Sequence, residues 1–228
     1  MASLEVIQRA AVRLFAGRGF AATGIRELSG AAGLNSATLY HYAGGKEELL
    51  ASIMRACLQA LLRAGQQAVA GSDDPPVQLA RLVRAHVAME SANPLTSRVT
   101  DHEVRSLTGG NRTEIMAMRD AYEGLFRDVL SKGRANGDFD IADLTTTRLA
   151  IMEMCNGVHN WFNPNGRLTR AALADRFADL ACRMTGARAI GRREAGRPVD
   201  VPVLPSEPGP EPEPDQAEGD RGESPAAV

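Results

Sequence analysis

The stretch TGIRELSGAAGLNSATLYHYAGGKEELL, residues 23–50, constrains the fold more than any other part of the chain. Ile25 and Leu28 fall on one face of a short helix, and Ala31 and Ala32 keep its packing surface small. Gly33 follows, the residue type that most readily takes the left-handed backbone that ends a helix and turns the chain. Leu34 plugs the turn into a core, and Asn35 or Ser36 can cap the next helix through a side-chain oxygen. That helix, 37–42, is too short to stand alone and must be held by packing, with Leu39 inward. Ser36, Thr38, Tyr40, His41 and Tyr42 are left to face outward. The pattern predicts a helix-turn-helix, and hydroxyls and aromatics exposed on a supported helix suit contact with DNA phosphates and the major groove.

Residues 20–28 (FAATGIREL), 32–34 (AGL), 38–42 (TLYHY) and 46–49 (KEEL) together resemble the DNA-binding domain of TetR-family repressors. Several spacings agree at once, which a lone helix-turn-helix pattern would not offer. The departures are Asn35 where that family usually has Ser, Tyr42 in place of a common Phe, and a looser linker at Ala43-Gly44-Gly45. The resemblance implies that Thr38, Tyr40 and Tyr42 touch bases or phosphates, while Thr23 and Lys46 grip the DNA backbone. Arg26, Ser36 and His41 are placed in the same candidate interface.

Composition predicts an all-α, cytoplasmic chain, and the resemblance implies an N-terminal DNA-binding domain over 1–48 and a helical effector-binding and dimerisation domain over 49–187. About nine helices are expected. Period-two β-branched runs are absent, and no apolar stretch is long enough to span a bilayer. No leader is expected, since no N-terminal segment joins basic residues to an apolar run and a cleavage site. Cys57, Cys155 and Cys182 are far apart and fit no CxxC spacing, as expected of small buried hydrophobes in a reducing compartment.

The near-neutral balance, 26 basic against 28 acidic residues, hides an asymmetry. From Gly191 onward stand 4 basic and 9 acidic residues, leaving 22 and 19 in the body, a net charge of +3. Residues 188–228, rich in Pro, Glu, Gly and Ala, are expected to form a disordered acidic tail.

Helical periodicity runs through the body. A long helix over Lys46–Ala70 carries apolar residues on more than one face and would link the two domains. A helix from Leu95 to about Leu107 and another from Leu144 to Phe162 are expected. The latter holds Leu144, Ile151, Cys155, Val158 and Phe162 on one face, and Ala150, Met154, Gly157 and Trp161 on a second. With a final helix over about 169–185 it forms a hairpin suited to pairing with a second copy as a four-helix bundle. A homodimer through these last two helices places two recognition helices about 34–36 Å apart, as a palindromic operator on double-stranded DNA requires.

Arg119-Asp120, the closure from Gly133 to Phe139, and residues 157–169 (GVHNWFNPNGRLT) resemble the effector domain of a TetR branch that includes acyl-CoA-responsive repressors of steroid and fatty-acid catabolism. An acyl-CoA effector is what that resemblance implies, with another lipophilic ligand, as in regulators of efflux or stress genes, as the alternative. Small-molecule sites are mostly apolar with a few polar anchors, and the candidates here are His86, Met89, His102, Met118, Tyr122, Met154 and Trp161. Each is equally at home in an ordinary core. Arg98, Arg105 and Arg148 are further candidates for the phosphates of a CoA moiety. Enzyme chemistry finds little support: there is no phosphate-cradling Gly-rich loop, HExxH motif or nucleophile elbow, and no His pair has a metal-ligand spacing. Neither cofactor nor metal is expected. A ligand-binding dimer or enzyme without a DNA-binding role remains the rival class.

Overall fold

The computed structural model describes residues 4–209, and among these every regular element is helical. Nine helices of seven or more residues follow one another: α1 (Leu4–Arg18), α2 (Ile25–Ala31), α3 (Ser36–Ala43), α4 (Lys46–Ala70), α5 (Pro75–Ala92), α6 (Pro94–His102), α7 (Gly109–Asn136), α8 (Leu144–Asn156) and, after the four-residue α9 (Val158–Trp161), α10 (Arg170–Met184). A second four-residue helix, α11, covers Arg192–Ala195. None of the described helices is long and apolar enough to cross a membrane.

Two apolar cores divide the molecule. The N-terminal core gathers Ile7, Ala11, Phe15, Leu28, Leu39, Leu49, Leu50, Ile53 and Met54, and receives Val99 from α6 and Ile115 from α7. The larger core gathers the second half of α4 with α5, α7, α8 and α10. Helix α4 spans both, contributing Leu49 to Leu58 to the first and Leu61, Ala64 and Ala68 to the second. Its bounds agree with the periodicity of its sequence. Gly65 permits its close packing, since a Cβ there would lie 2.9 Å from the Tyr122 ring and 2.7 Å from Leu125.

Three elements differ from expectation. Helix α6 stops at His102, and Val104–Ser106 forms a separate 3-10 turn. The Glu103 carboxylate accepts from Phe20 N at 3.0 Å and from Ser106 Oγ at 3.1 Å, tying this corner to the end of α1 instead of letting the helix run on. The helix expected over 144–162 is interrupted at Gly157, a poor helix former, and resumes as α9.

The third difference is the chain beyond 187. The expectation of a disordered tail starting at 188 does not hold for 188–209, which pack on the body. Ala195 and Leu204 are buried, and Val199 and Val201 pack against the larger core. Asn93, fully buried at the α5–α6 junction, donates from Nδ2 to Pro202 O at 3.0 Å and accepts from Leu204 N through Oδ1 at 2.7 Å. The Glu207 carboxylate accepts from the first-turn amides of α6, Leu95 N at 3.2 Å and Thr96 N at 2.8 Å. These bonds satisfy the backbone of an irregular segment, through partners that composition alone does not anticipate. The remaining acidic stretch, 210–228, lies outside the described residues.

Candidate DNA interface and effector chamber

The turn between α2 and α3 is built as the sequence suggests. Gly33 has φ +67°, and Asn35 caps α3 by accepting from Thr38 N at 2.8 Å. Leu28 and Leu39 are fully buried between the helices, and Ser29 Oγ lies 3.2 Å from Ser36 Oγ, so Ser36 holds α3 to α2. The face opposite Leu39 is open: Tyr40, His41 and Tyr42 are exposed, and so is Arg26 on α2, while Thr38 is half-buried. The His41 and Tyr42 rings meet edge to face with centroids 5.4 Å apart.

Thr23 and Lys46 are engaged within the protein. Thr23 is buried and its hydroxyl donates to Gly19 O at 2.9 Å. The Lys46 ammonium donates to Phe20 O and Thr23 O, both at 2.9 Å, and sits 4.1 Å from the centre of the Phe20 ring. Two of its three N–H groups thus pin the start of α4 to the α1–α2 turn. Lys46 thereby positions the helix-turn-helix, with its third N–H left over for the phosphate contact that the sequence leads one to expect.

Further into the molecule, α4 to α8 line a small chamber of about 40 Å³. Cys57, Leu58, Leu61 and Met152 supply apolar walls, and His86, Glu90, Ser97, Thr100, Asp101, Arg119, Tyr122, Glu123 and Asn156 supply polar ones. A mouth lined by Asp101, His102, Arg119, Asn156, His159 and Asn160 adjoins it. The polar groups are buried yet incompletely paired. Among the described residues the Tyr122 hydroxyl and His159 Nε2 have no hydrogen-bond partner, and His86 has only a loose contact with Asn156. His86 Nε2 lies 3.8 Å from Glu90 Oε1, too far for a hydrogen bond.

Burial dominates the electrostatics. It lowers the His86 pKa to about 4, assisted by the charge of Arg119, and raises Glu90 to about 7 although His159 donates against it. Burial also depresses His159, but its 2.8 Å bond to Glu90 and the charges of Glu90 and Asp101 outweigh that and leave its pKa raised. Burial pushes the Cys57 thiol up to about 12 and Cys155 higher still, so neither is poised as a nucleophile.

Of the sequence-predicted ligand residues, His86 and Tyr122 line the chamber, with ring centroids 5.4 Å apart, and His102 is exposed at its mouth. The others are placed differently. Met89 is buried beside Asn93, Met118 packs against the N-terminal core, and Met154 packs half-buried against the larger one, with Met152 lining the chamber in its place. Trp161 faces outward, 56% exposed, its ring stacked on Phe177 at 6.1 Å. With Leu149, Leu180 and Met184 it leaves large apolar groups exposed on α8, α9 and α10. Arg148 is held by Glu123 at 2.8 Å, and Arg98 and Arg105 are exposed.

Sequence reasoning missed Glu90, Asp101 and Asn156, and marked Arg119 only as part of the effector-domain resemblance. Charged residues on helices read as solvent-facing, but Glu90 and His86 stand one turn apart in a helix nearly all of whose residues are buried. A polar i, i+4 pair in such a setting is the signal that was available.

Comparisons with known proteins agree with this architecture. Residues 7–53 match the family described as bacterial regulatory proteins, tetR family, and residues 72–185 match the tetracyclin repressor-like C-terminal domain. The HTH-type transcriptional repressor KstR2 of Rhodococcus jostii is 28% identical over 173 residues, spanning 75% of this chain and 84% of KstR2. Among solved structures, the TetR family transcriptional regulator PfmR of Thermus thermophilus superposes with a TM-score of 0.70 at 32% identity, covering 78% of this chain and 97% of PfmR. AibR, in a complex with isovaleryl coenzyme A and operator DNA, also gives a TM-score of 0.70, at 26% identity and covering 78% and 96%. The chain belongs to the TetR family of bacterial transcriptional regulators, DNA-binding switches and not enzymes.

Proposed function

We propose that the chain is a homodimeric transcriptional repressor, acting in the cytoplasm, which leaves a palindromic operator when an acyl-CoA enters the chamber. The observation that carries this reading is the physical connection between chamber and recognition helix. Helix α6 supplies Ser97, Thr100 and Asp101 to the chamber, Val99 to the N-terminal core, and ends at Glu103, whose carboxylate holds Phe20 N. A second connection runs from Glu47 on α4 to Thr108 N at 2.7 Å, at the start of α7. A ligand that shifts α6 therefore moves the support of α2 and α3, to the extent that it binds one arrangement better than the other.

Tyr40, His41, Tyr42 and Arg26, with Thr38 behind them, form the surface offered to bases and phosphates. The exposed Leu149, Trp161, Leu180 and Met184 form an apolar face of the kind a second copy covers. Two observations favour an acyl-CoA over a plain lipophile. The chamber carries unpaired buried donors and acceptors that an oil-like ligand would leave unsatisfied, and the similar protein AibR is solved in complex with a coenzyme A thioester. At about 40 Å³ the chamber must widen to admit an acyl group, so entry of the thioester displaces its walls, α6 among them, with the nucleotide part of the ligand at or beyond the mouth.

Native mass spectrometry of the purified chain, followed by fluorescence anisotropy on a palindromic promoter fragment with and without isovaleryl-CoA, tests this reading. A dimer that binds the fragment and is released by the thioester supports it. Tightening of DNA binding would replace release by co-repression, an arrangement AibR makes concrete because it was captured with ligand and operator together. Binding indifferent to a tightly held thioester would defeat the switch.

A further inference from the structure

The chamber and its mouth meet at Asp101, Arg119 and Asn156. At that junction three elements distant in sequence converge: Glu90 from α5, Asp101 from α6 and His159 from α9. One ligand atom from each, two carboxylate oxygens and an imidazole nitrogen, all lie within 4.8 Å of one another. The side chains of His159 and Glu90 are only 2% and 7% exposed. Asp101 gives Oδ1 to Arg119 at 3.2 Å, which leaves its other oxygen available.

A second observation is the state of the imidazole. His159 is buried, its Nε2 has no partner among the described residues, and its only hydrogen bond is the one that Nδ1 makes to Glu90. Nδ1 faces the carboxylates and is the nitrogen an ion among them can take.

We propose that Glu90, Asp101 and His159 bind a divalent transition-metal ion at the inner mouth of the chamber. One imidazole with two carboxylates suits Mn, Fe, Ni or Zn rather than the all-oxygen cages of Ca or Mg. Three protein ligands leave coordination positions open, as in sites that also take water or an added ligand. The ion takes the place of the proton shared by His159 and Glu90, and that proton passes to solvent. Arg119 neutralises only part of the charge on two carboxylates, so a cation is tolerated beside it. Binding here fastens α6 to α5 and α9, and so to the same element that supports the N-terminal core. The ion is a ligand in its own right, independent of whether the operator reading holds.

The test uses the full chain, freed of any affinity tag and stripped with chelator, titrated with Co(II), Mn(II) and Zn(II) by calorimetry and, for Co(II), visible absorption. One ion per chain is expected, with a rise in melting temperature. Asp101→Asn and His159→Ala should each weaken binding by more than about tenfold, as even outer-shell losses around a metal do. Asp128→Asn, which removes an exposed carboxylate on α7, should bind like the wild type. Variants are compared at equal operator affinity, so that failure of the ion site and failure of DNA binding are read separately. If the variants do not fold, Mn(II) broadening of histidine resonances in the wild type decides: loss of the His159 and His86 signals before that of His41 supports the site. Substoichiometric binding by the wild type, undiminished binding by both variants, or broadening of His41 alone would overturn it.

Discussion

The helix-turn-helix end and the effector chamber are built on opposite principles. Around Leu28, Leu39 and Leu49 the interior is dry, each of these side chains is fully buried, and the polar groups between the helices, Ser29, Ser36 and Asn35, all have partners. Around Tyr122 and His86 the interior is polar, and several buried donors and acceptors have none. Buried polar groups without partners oppose folding. Their concentration in one chamber separates the part of the chain organised for stability from the part organised to receive something.

The contrast can be broken by substitution. Leu39→Ala should cost about 2–5 kcal/mol, the range for truncating a fully buried leucine, read from the midpoint of denaturant unfolding, and should abolish operator binding. An unchanged midpoint would show that α3 is not held by its core. Lys46→Ala removes two charge-assisted bonds to the α1–α2 turn and should cost about 1.5–3 kcal/mol at most, with operator affinity lowered for every sequence. A phosphate contact should also flatten the salt dependence by about one counterion; an unaltered salt slope with lowered affinity assigns Lys46 to positioning alone.

Tyr122→Phe sharpens the comparison because its sign is reversed. Removing an unpaired buried hydroxyl should stabilise the protein by about 1–3 kcal/mol while weakening the response to acyl-CoA. A fall in melting temperature would mean that the hydroxyl does have a partner. Asn93→Ala, which leaves Pro202 O and Leu204 N without their partner, should cost a comparable amount, about 1–3 kcal/mol, accompanied by faster amide exchange over 202–207. Unchanged exchange there would show that the segment stays docked without Asn93.

Legibility in the sequence followed the same divide. The Asn35 cap, the Gly33 turn, the inward Leu39 and both ends of α4 follow from periodicity and capping, because each depends on neighbours a few residues away. The buried face shared by α8 and α9, with Ile151, Cys155 and Val158, was legible for that reason too. Long-range polar contacts were not. Glu103 stops α6 by reaching Phe20, 83 positions earlier, and His159 meets Glu90 across 69. Nothing in the local pattern of either residue announces its partner. Trp161 and Met118 were assigned to the chamber because aromatic and methionine side chains suit ligands, yet the same chemistry suits a subunit face and an apolar core.

The docked segment after residue 195 gives the switch an adjustable set point. It lies beyond both matched regions, the second of which ends at residue 185, yet it grips the α5–α6 elbow through Asn93 and the first turn of α6 through Glu207. Being part of the same chain, it competes at a fixed effective concentration that dilution does not alter. Any effector that moves α6 must work against this clasp. Changes to a few residues of it would retune the effector dose needed for switching, with the chamber and the recognition helix left as they are.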